Sequence, residues 1–332
     1  MKVSFLQMKR ALNVALFVLL LSVAGTKNTF AQTQLATLQH GDDLSVFYGT
    51  NAFVEAHRAA VGGDIITLSG GTFTSCYITK GITLRGAGCE FDTVANTAPT
   101  IFSSDISLSV DDTVNFLNVE GIRFNCDVDF RVLNNPTFTR CYMKYWEYRN
   151  STASCRNAQF FNCFVKYFSN HYCTSTMLIN SVVKSFVSDG SCVLYNSIIH
   201  SAYNLYDFSA FSSIIHYVGN SDHSNSTFIN CIGIGSNPFR NAQTSGCHVY
   251  DSYEDVFETF TGTFEYGDSF ILKDEVATSI LGINGTQVGI YGGFMPYDIR
   301  PAYMVLKRCN VGSRTTIDGK LSVDIEVIAV EE

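Results

Sequence analysis

Phe161-Asn162-Cys163-Phe164-Val165-Lys166, Ile179-Asn180-Ser181-Val182-Val183-Lys184 and Tyr195-Asn196-Ser197-Ile198-Ile199-His200 are copies of one phrase, apolar-Asn-(Cys or Ser)-apolar-apolar-(Lys or His). Two more follow, Phe211-Ser212-Ser213-Ile214-Ile215-His216 and Ile229-Asn230-Cys231-Ile232-Gly233-Ile234, with degenerate copies at 140–144 and 250–253. The Cys/Ser position falls at residues 141, 163, 181, 197, 213, 231 and 252, so the steps are 22, 18, 16, 16, 18 and 21 residues. A repeat this short, rich in strand formers, leaves no room for a helix in each unit. No helical period and no leucine-rich consensus appears between residues 65 and 256. The chain is predicted to be all-β, a right-handed parallel β-helix of roughly ten coils.

Alternation along a strand assigns faces. With the Cys/Ser position inward, the residues two before it (Phe161, Ile179, Tyr195, Phe211, Ile229) and two after it (Val165, Val183, Ile199, Ile215) are expected to point in as well. The Asn is expected at a tight left-handed bend, where it can hydrogen-bond its copies above and below. Exchange of Cys with Ser at one position marks small, stacked, inward residues, so most of the 11 cysteines read as unpaired core residues. Cys76 with Cys89, or Cys155 with Cys173, remain possible pairs.

The ends differ in character. Lys2, Lys9 and Arg10 precede an apolar run at 11–25, and Thr29-Phe30-Ala31 ends a predicted secretory signal peptide, 1–31. The protein is therefore expected to be exported, to the cell surface, the periplasm or beyond, with no transmembrane segment, since no later stretch approaches about 20 apolar residues. Removing 1–31 takes away four cations and no acid, which moves the net charge from −8 to −12. That balance argues against nucleic acid as a partner. Residues 32–63 read as an irregular lead-in and a capping helix from Ala52 to Val61 that begins at Asn51, with Phe53, Ala56, Ala60 and Val61 on one side. Residues 64–270 read as the β-helix. Residues 271–332 read as a closing segment and a C-terminal hairpin turning at Asp318-Gly319.

The Asn-Cys/Ser ladder, the leading helix and Asp64-Ile65-Ile66-Thr67-Leu68-Ser69-Gly70-Gly71-Thr72-Phe73 resemble secreted β-helix proteins of the pectin-lyase-like fold. The segment 281–297, rich in Gly and holding Asn284-Gly285-Thr286-Gln287, is similar to the closing segment of such proteins from Bacteroidetes, most of them functionally uncharacterised. The resemblance implies the fold and, for enzymes of that fold, carboxylates, Arg or Lys and sometimes Ca²⁺ on one outer face. It carries over no catalytic residue. Of the polygalacturonase-type motifs only Gly41-Asp42-Asp43 matches, in the lead-in, and the pectate-lyase patterns are missing.

Two candidate sites remain. Asp127, Asp129 and Arg131 lie two apart and would project from one strand face. Paired carboxylates there could divide acid and base roles or hold Ca²⁺, while a solvated face with an internal ion pair has the same spacing. No metal-ligand spacing of His or Cys appears, and no cofactor is expected. The second candidate is the last position of the phrase, where Lys144, Lys166, Lys184, His200 and His216 would stack outward as a basic stripe about 19 Å long. Tyr145, Trp146 and Tyr148 at its base could face a sugar ring. The neighbouring outward column (Phe164, Val182, Ile198, Ile214, Ile232) is apolar, so that face is expected to be covered by loops or by another subunit. The expected function is a non-catalytic, exported binding or surface-structural element, with acidic polysaccharide as its partner. The alternative is a polysaccharide lyase or glycoside hydrolase with an atypical site at Asp127 and Asp129. The oligomeric state is not readable.

Overall fold

The computed structural model describes residues 34–329, except 94–96, 189, 204, 206, 218–222, 260–263, 301–303 and 316–320. The expected signal segment and the Asp318-Gly319 turn lie outside the described residues. The body is a parallel β-solenoid of about ten coils. No helix among the described residues is long and apolar enough to cross a membrane.

Each repeat phrase straddles a corner between two stacks of strands. Strands ahead of the corner, such as Gln159–Phe161, Thr176–Ile179, Cys192–Tyr195 and Phe208–Phe211, build the first sheet. Strands after it, such as Ile122–Asn134, Tyr142–Tyr148, Phe164–Ser169, Val182–Val187 and Ile198–Tyr203, build the second. Equivalent residues pair in register, Phe164 with Val182 and Val182 with Ile198. The corner residues Asn162, Asn180, Asn196, Ser212 and Asn230 all sit in the left-handed region, with φ between 46° and 53°. Asn reaches that region at lower cost than most side chains.

That corner corrects the inward assignment. Cys163, Ser181, Ser197, Ser213 and Cys231 are fully buried, and so are Val165, Val183, Ile199 and Ile215. On the other side, however, the buried residues are Phe160, Leu178, Leu194, Ala210 and Phe228, three before the Cys/Ser position. Phe161, Ile179, Tyr195, Phe211 and Ile229 are only half-buried. A left-handed residue turns the chain and shifts the period-two alternation by one, so counting straight through it inverts the first sheet.

The Cys/Ser exchange has a hydrogen-bonding cause. The hydroxyls of Ser181, Ser197 and Ser213 each donate to the carbonyl two residues earlier at 2.9 Å. Each also accepts the backbone N–H of the previous coil, from Cys163, Ser181 and Ser197 at 3.1 Å. The Cys163 thiol makes the first of these contacts, to the Phe161 carbonyl at 3.3 Å. Among the described residues the cysteines are unpaired, including Cys76, Cys89, Cys155 and Cys173.

The N-terminal end of the stack is covered. The stretch ahead of the helix is not irregular: Leu35–His40 and Asp43–Tyr48 form an antiparallel hairpin, and Leu35–His40 also pairs antiparallel with the first coil strand, Ile65–Leu68. Gly41, at φ +58°, makes the turn. Helix α1, Ala52–Ala59, buries Ala52, Phe53 and Ala56, and Val61 lies past its end, exposed. Asn51 makes no side-chain capping bond. The helix is instead held at its C-terminus, where Lys80 Nζ donates to the carbonyls of His57, Arg58 and Ala60 at 2.7, 3.0 and 2.6 Å. A cation there also meets the negative end of the helix dipole. Beyond the described body strands, Met304–Thr315 and Leu321–Ala329 pair as an antiparallel hairpin.

The last coil strand is His248–Tyr250, after which the chain returns over the second sheet. This strap includes helix α2, Asp274–Ser279, and forms a second apolar core outside the coils. Val256, Phe257, Phe264, Phe270, Leu272, Val276, Val288 and Ile290 pack there on Tyr142, Phe164, Val182, Ile198, Ile214 and Ile232. The outward apolar column is thus covered by the chain's own C-terminal part.

The corner Asn column docks this strap rather than bonding to its own copies. Asn180 Nδ2 donates to the carbonyls of Ile290 and Gly292, both at 2.7 Å, and Asn196 Nδ2 reaches those of Gln287 and Gly289 at 3.4 Å. Ser212 Oγ accepts the Ile283 N–H at 2.9 Å. Close approach requires glycine at Gly293, which has φ +79° and where a Cβ would lie 2.8 Å from Asn196 Oδ1. Asn-to-Asn bonding occurs at a different corner, from Asn157 to Asn135 at 2.8 Å. Replacing Asn180 with Ala strands the buried Gly292 carbonyl, leaves that of Ile290 with only the Tyr297 N–H, and forces Ala into a left-handed bend. The expected loss is about 2–4 kcal/mol, read as faster hydrogen exchange in 281–293 with the coil strands protected. Unchanged exchange there would contradict the docking role.

Candidate functional site

The long strand Ile122–Asn134 puts Phe124, Cys126, Val128 and Phe130 into the core, so Asp127, Asp129 and Arg131 project outward. Register extends the acidic set across coils. Asp129 lies beside Ser107 on one side and Glu147 on the other, and Asp127 lies beside Tyr145, which lies beside Tyr167. Asp105, Asp127, Asp129 and Glu147 therefore line one groove of about 360 Å³, with Tyr148, Arg149, Tyr167, Ser169 and His171.

The acids are not equivalent. Asp129 is only 5% exposed; its Oδ2 accepts from Arg149 Nη1 at 2.6 Å, and its Oδ1 has no hydrogen-bond partner. An unpaired buried carboxylate oxygen is costly, and such groups concentrate where a ligand or a reaction supplies the missing partner. Asp105 is exposed and its Oδ1 accepts the Asp127 N–H at 3.3 Å. Desolvation, then the negative charges of Asp127, Asp129 and Asp105, hold the Glu147 carboxyl above its ordinary range. Burial, followed by Glu147 and Tyr148, also raises the Tyr167 phenol.

Aromatic rings rim the groove. Tyr148 and Tyr172 are exposed and meet edge to face at 4.9 Å, with His171 against Tyr148 at 5.8 Å. Tyr145 is half-buried beside Tyr167, 5.9 Å between centroids. Trp146 is no sugar platform. It is fully buried, stacked on Phe130 at 5.0 Å and edge-on to Phe138 and Phe160 at 5.2 Å each. A register shift sets Met143–Tyr145 against the one-residue-longer Phe124–Asp127, and with Lys144 and Tyr145 both facing out, Trp146 turns into the core. Arg131 also stands apart from the groove, over the Tyr77 ring at 5.4 Å, and the cation against Asp129 is Arg149. Glu147 and Arg149 were not singled out from sequence. Aligning the 140–144 copy with the preceding coil would have set Glu147 beside Asp129, but unequal coil lengths hide that register.

The Lys/His column does not form one open stripe. Lys144 is exposed and lies over the Tyr145 ring at 5.1 Å. Lys166 and Lys184 both reach the carboxylate of Glu265 from the strap, Lys166 at 2.6 Å. His200 and His216 stack at 5.2 Å beneath Tyr253 and Phe264; His200 Nδ1 meets the Tyr253 hydroxyl and His216 Nδ1 meets the His200 carbonyl. Two of the cations are thus neutralised within the chain and the two imidazoles are roofed.

Those contacts make strap docking acid-sensitive. Burial, then His216 and Lys184, lowers His200 to about 4, and burial likewise lowers His216. Both folded-state pKa values lie below the unfolded value of about 6.5, so their stabilisation is complete above it and declines as pH falls towards 4. The Glu265 carboxyl, lowered by Lys166 and Lys184, acts in the same direction at lower pH. The His200 shift corresponds to about 3 kcal/mol, which solvent screening of this partly exposed ring reduces to about 1–2 kcal/mol. Protease cleavage within 251–299 is expected to accelerate between about pH 7 and pH 4.5, and a His200→Phe variant should lose much of that dependence. A pH-independent cleavage rate would refute it.

Among the described residues no three His, Cys, Asp or Glu side chains group closely enough to hold one metal ion. The groove carboxylates are spread over three coils instead. No protein-family model matches the chain, and comparison with curated proteins and with solved structures gives no match either.

Proposed function

We propose that the acidic groove is the active site of a glycan hydrolase carried on an exported β-solenoid. The observation supporting this reading is the placement of Glu147, whose carboxyl is held high by its neighbours, diagonally across from Asp127 on the adjacent coil, two residues along from its register partner Asp129. Strand rise and coil spacing put their Cα atoms on a diagonal of roughly 8 Å. Acid and base carboxyl groups that leave room for a water stand about 6.5–9.5 Å apart, a span that side chains rooted at this Cα separation can reach. In this reading Glu147 protonates the glycosidic oxygen and Asp127 takes a proton from the attacking water. The water oxygen bonds to the anomeric carbon as the glycosidic bond breaks, inverting its configuration. Asp129 and Arg149 orient the groove wall, and Tyr148 and Tyr172 face the sugar rings.

The same charges weigh against two other readings. A lyase acting on uronates needs cations to neutralise the substrate carboxylate, and this groove presents four acids against Arg149. Acidic polysaccharide along the Lys/His column meets only Lys144 in the open, with Lys166 and Lys184 held by Glu265. Glycan binding without turnover is the second reading, favoured by the exposed tyrosine rim. Incubating the protein with neutral, cationic and anionic polysaccharides, and reading both new reducing ends and retention, separates the two. Release of reducing ends that is lost in Asp127→Asn supports hydrolysis. Retention without product selects the binding reading, and neither result with any polymer ends both.

A further inference from the structure

The groove carries more negative charge than one arginine can balance, and the imbalance is built in. Asp105, Asp127, Asp129 and Glu147 line it, and the guanidinium of Arg149 is already committed to Asp129 Oδ2 at 2.6 Å. His171 lines the same wall, and Lys144, the nearest exposed member of the basic column, lies over Tyr145. The unpartnered Asp129 Oδ1, on a residue 95% buried, is an acceptor that no protein donor satisfies. Two exposed tyrosines, Tyr148 and Tyr172, stand at the rim. Carboxylates beside aromatic faces are the pattern that recognises ammonium groups, through charge-assisted hydrogen bonds and cation–π contact.

The spacing favours a polymer over a single ion. The acids fall on three successive coils, Asp105, then Asp127 and Asp129, then Glu147, at steps of about 4.8 Å. That step is comparable to the advance of one pyranose in an extended chain, so a positive charge on successive sugars would meet an acid on successive coils.

We propose that the groove's ligand is a cationic glycan, a chain of amino sugars with free ammonium groups. This rests on the reading of the groove as a glycan site and adds the charge of the substrate. A bound ammonium would supply a donor for Asp129 Oδ1 and relieve the repulsion among Asp127, Asp129, Asp105 and Glu147. N-acetylation of the same sugar removes the charge and adds bulk where the acids stand. Uronate chains are repelled outright.

The test compares four probes on the intact protein by calorimetry at low and moderate salt: glucosamine tetramer, N-acetylglucosamine tetramer, galacturonate tetramer and tetralysine. The expected result is at least tenfold tighter binding of the glucosamine tetramer than of the other three, weakening as salt rises. Asp127→Asn and Asp105→Asn, at non-buried positions, should each reduce that preference while leaving the melting temperature near the parent's. Equal binding of the N-acetylated tetramer overturns the charge assignment and leaves the glycan reading standing. Equal binding of tetralysine overturns the sugar assignment. If no tetramer binds, both the charge assignment and the glycan reading of the groove fall.

Discussion

Glu147→Gln is expected to cut glycan turnover about 10²–10⁴-fold while leaving the protein at least as stable as the parent at neutral pH. The loss is that of a general acid that can no longer give up a proton. The stability follows from the same electrostatics with opposite consequence. The folded-state pKa of Glu147 lies above its ordinary value of 4.5, so its ionised form costs stability above the folded pKa and nothing below the ordinary one. An amide removes that cost. Melting temperature of the variant should therefore equal or exceed the parent's near pH 7, with the difference vanishing as pH falls below about 4. The other groups facing Glu147, namely Asp105, Asp127, Asp129, Tyr148, Arg149, Tyr167 and His171, are unchanged in the variant. Parent-like turnover would remove Glu147 from the chemistry. A marked fall in melting temperature would mean that its carboxylate is a structural partner rather than a strained one.

Trp146→Ala is expected to cost about 3–5 kcal/mol, the largest single-residue effect on stability we anticipate in the coils. The indole is fully buried and contacts Phe130, Phe138, Phe160 and, at 6.2 Å, Phe168, so one deletion opens a void shared by three adjacent coils. Close-packed interiors do not collapse to fill a gap of that size. Its neighbour in sequence Glu147 lines the groove, so the void also loosens the wall that carries this carboxylate. Urea unfolding with Trp146→Phe as the milder comparison tests this. A sugar platform would behave otherwise, losing affinity on substitution with little change in unfolding midpoint.

Much of the coil body was readable because a solenoid is nearly one-dimensional: each coil packs only on its neighbours, so the pattern that builds one coil repeats in the chain. The corner Asn, the Cys/Ser ladder and the apolar outer column all follow from the phrase at 161–166 and its copies. The inward set of the first sheet did not, because the left-handed corner at Asn162 and its copies breaks the alternation by one residue. The groove was half legible. Asp127 and Asp129 were visible as a spacing on one strand, whereas Glu147 and Arg149 join them only through register between coils of 16 to 22 residues.

Sequence by itself determined that this chain stacks short coils, which residues fill their second sheet, and where the corners lie, because those properties are local and repeat. Tertiary structure decided what the outer surfaces are for. The strap at 251–299 converts an apolar column into a second core, ties Lys166 and Lys184 to Glu265 and roofs His200 and His216. Lateral register gathers four acids and an arginine into one groove. Both outcomes depend on contacts between residues far apart in the chain, which no repeat of 16 to 22 residues encodes.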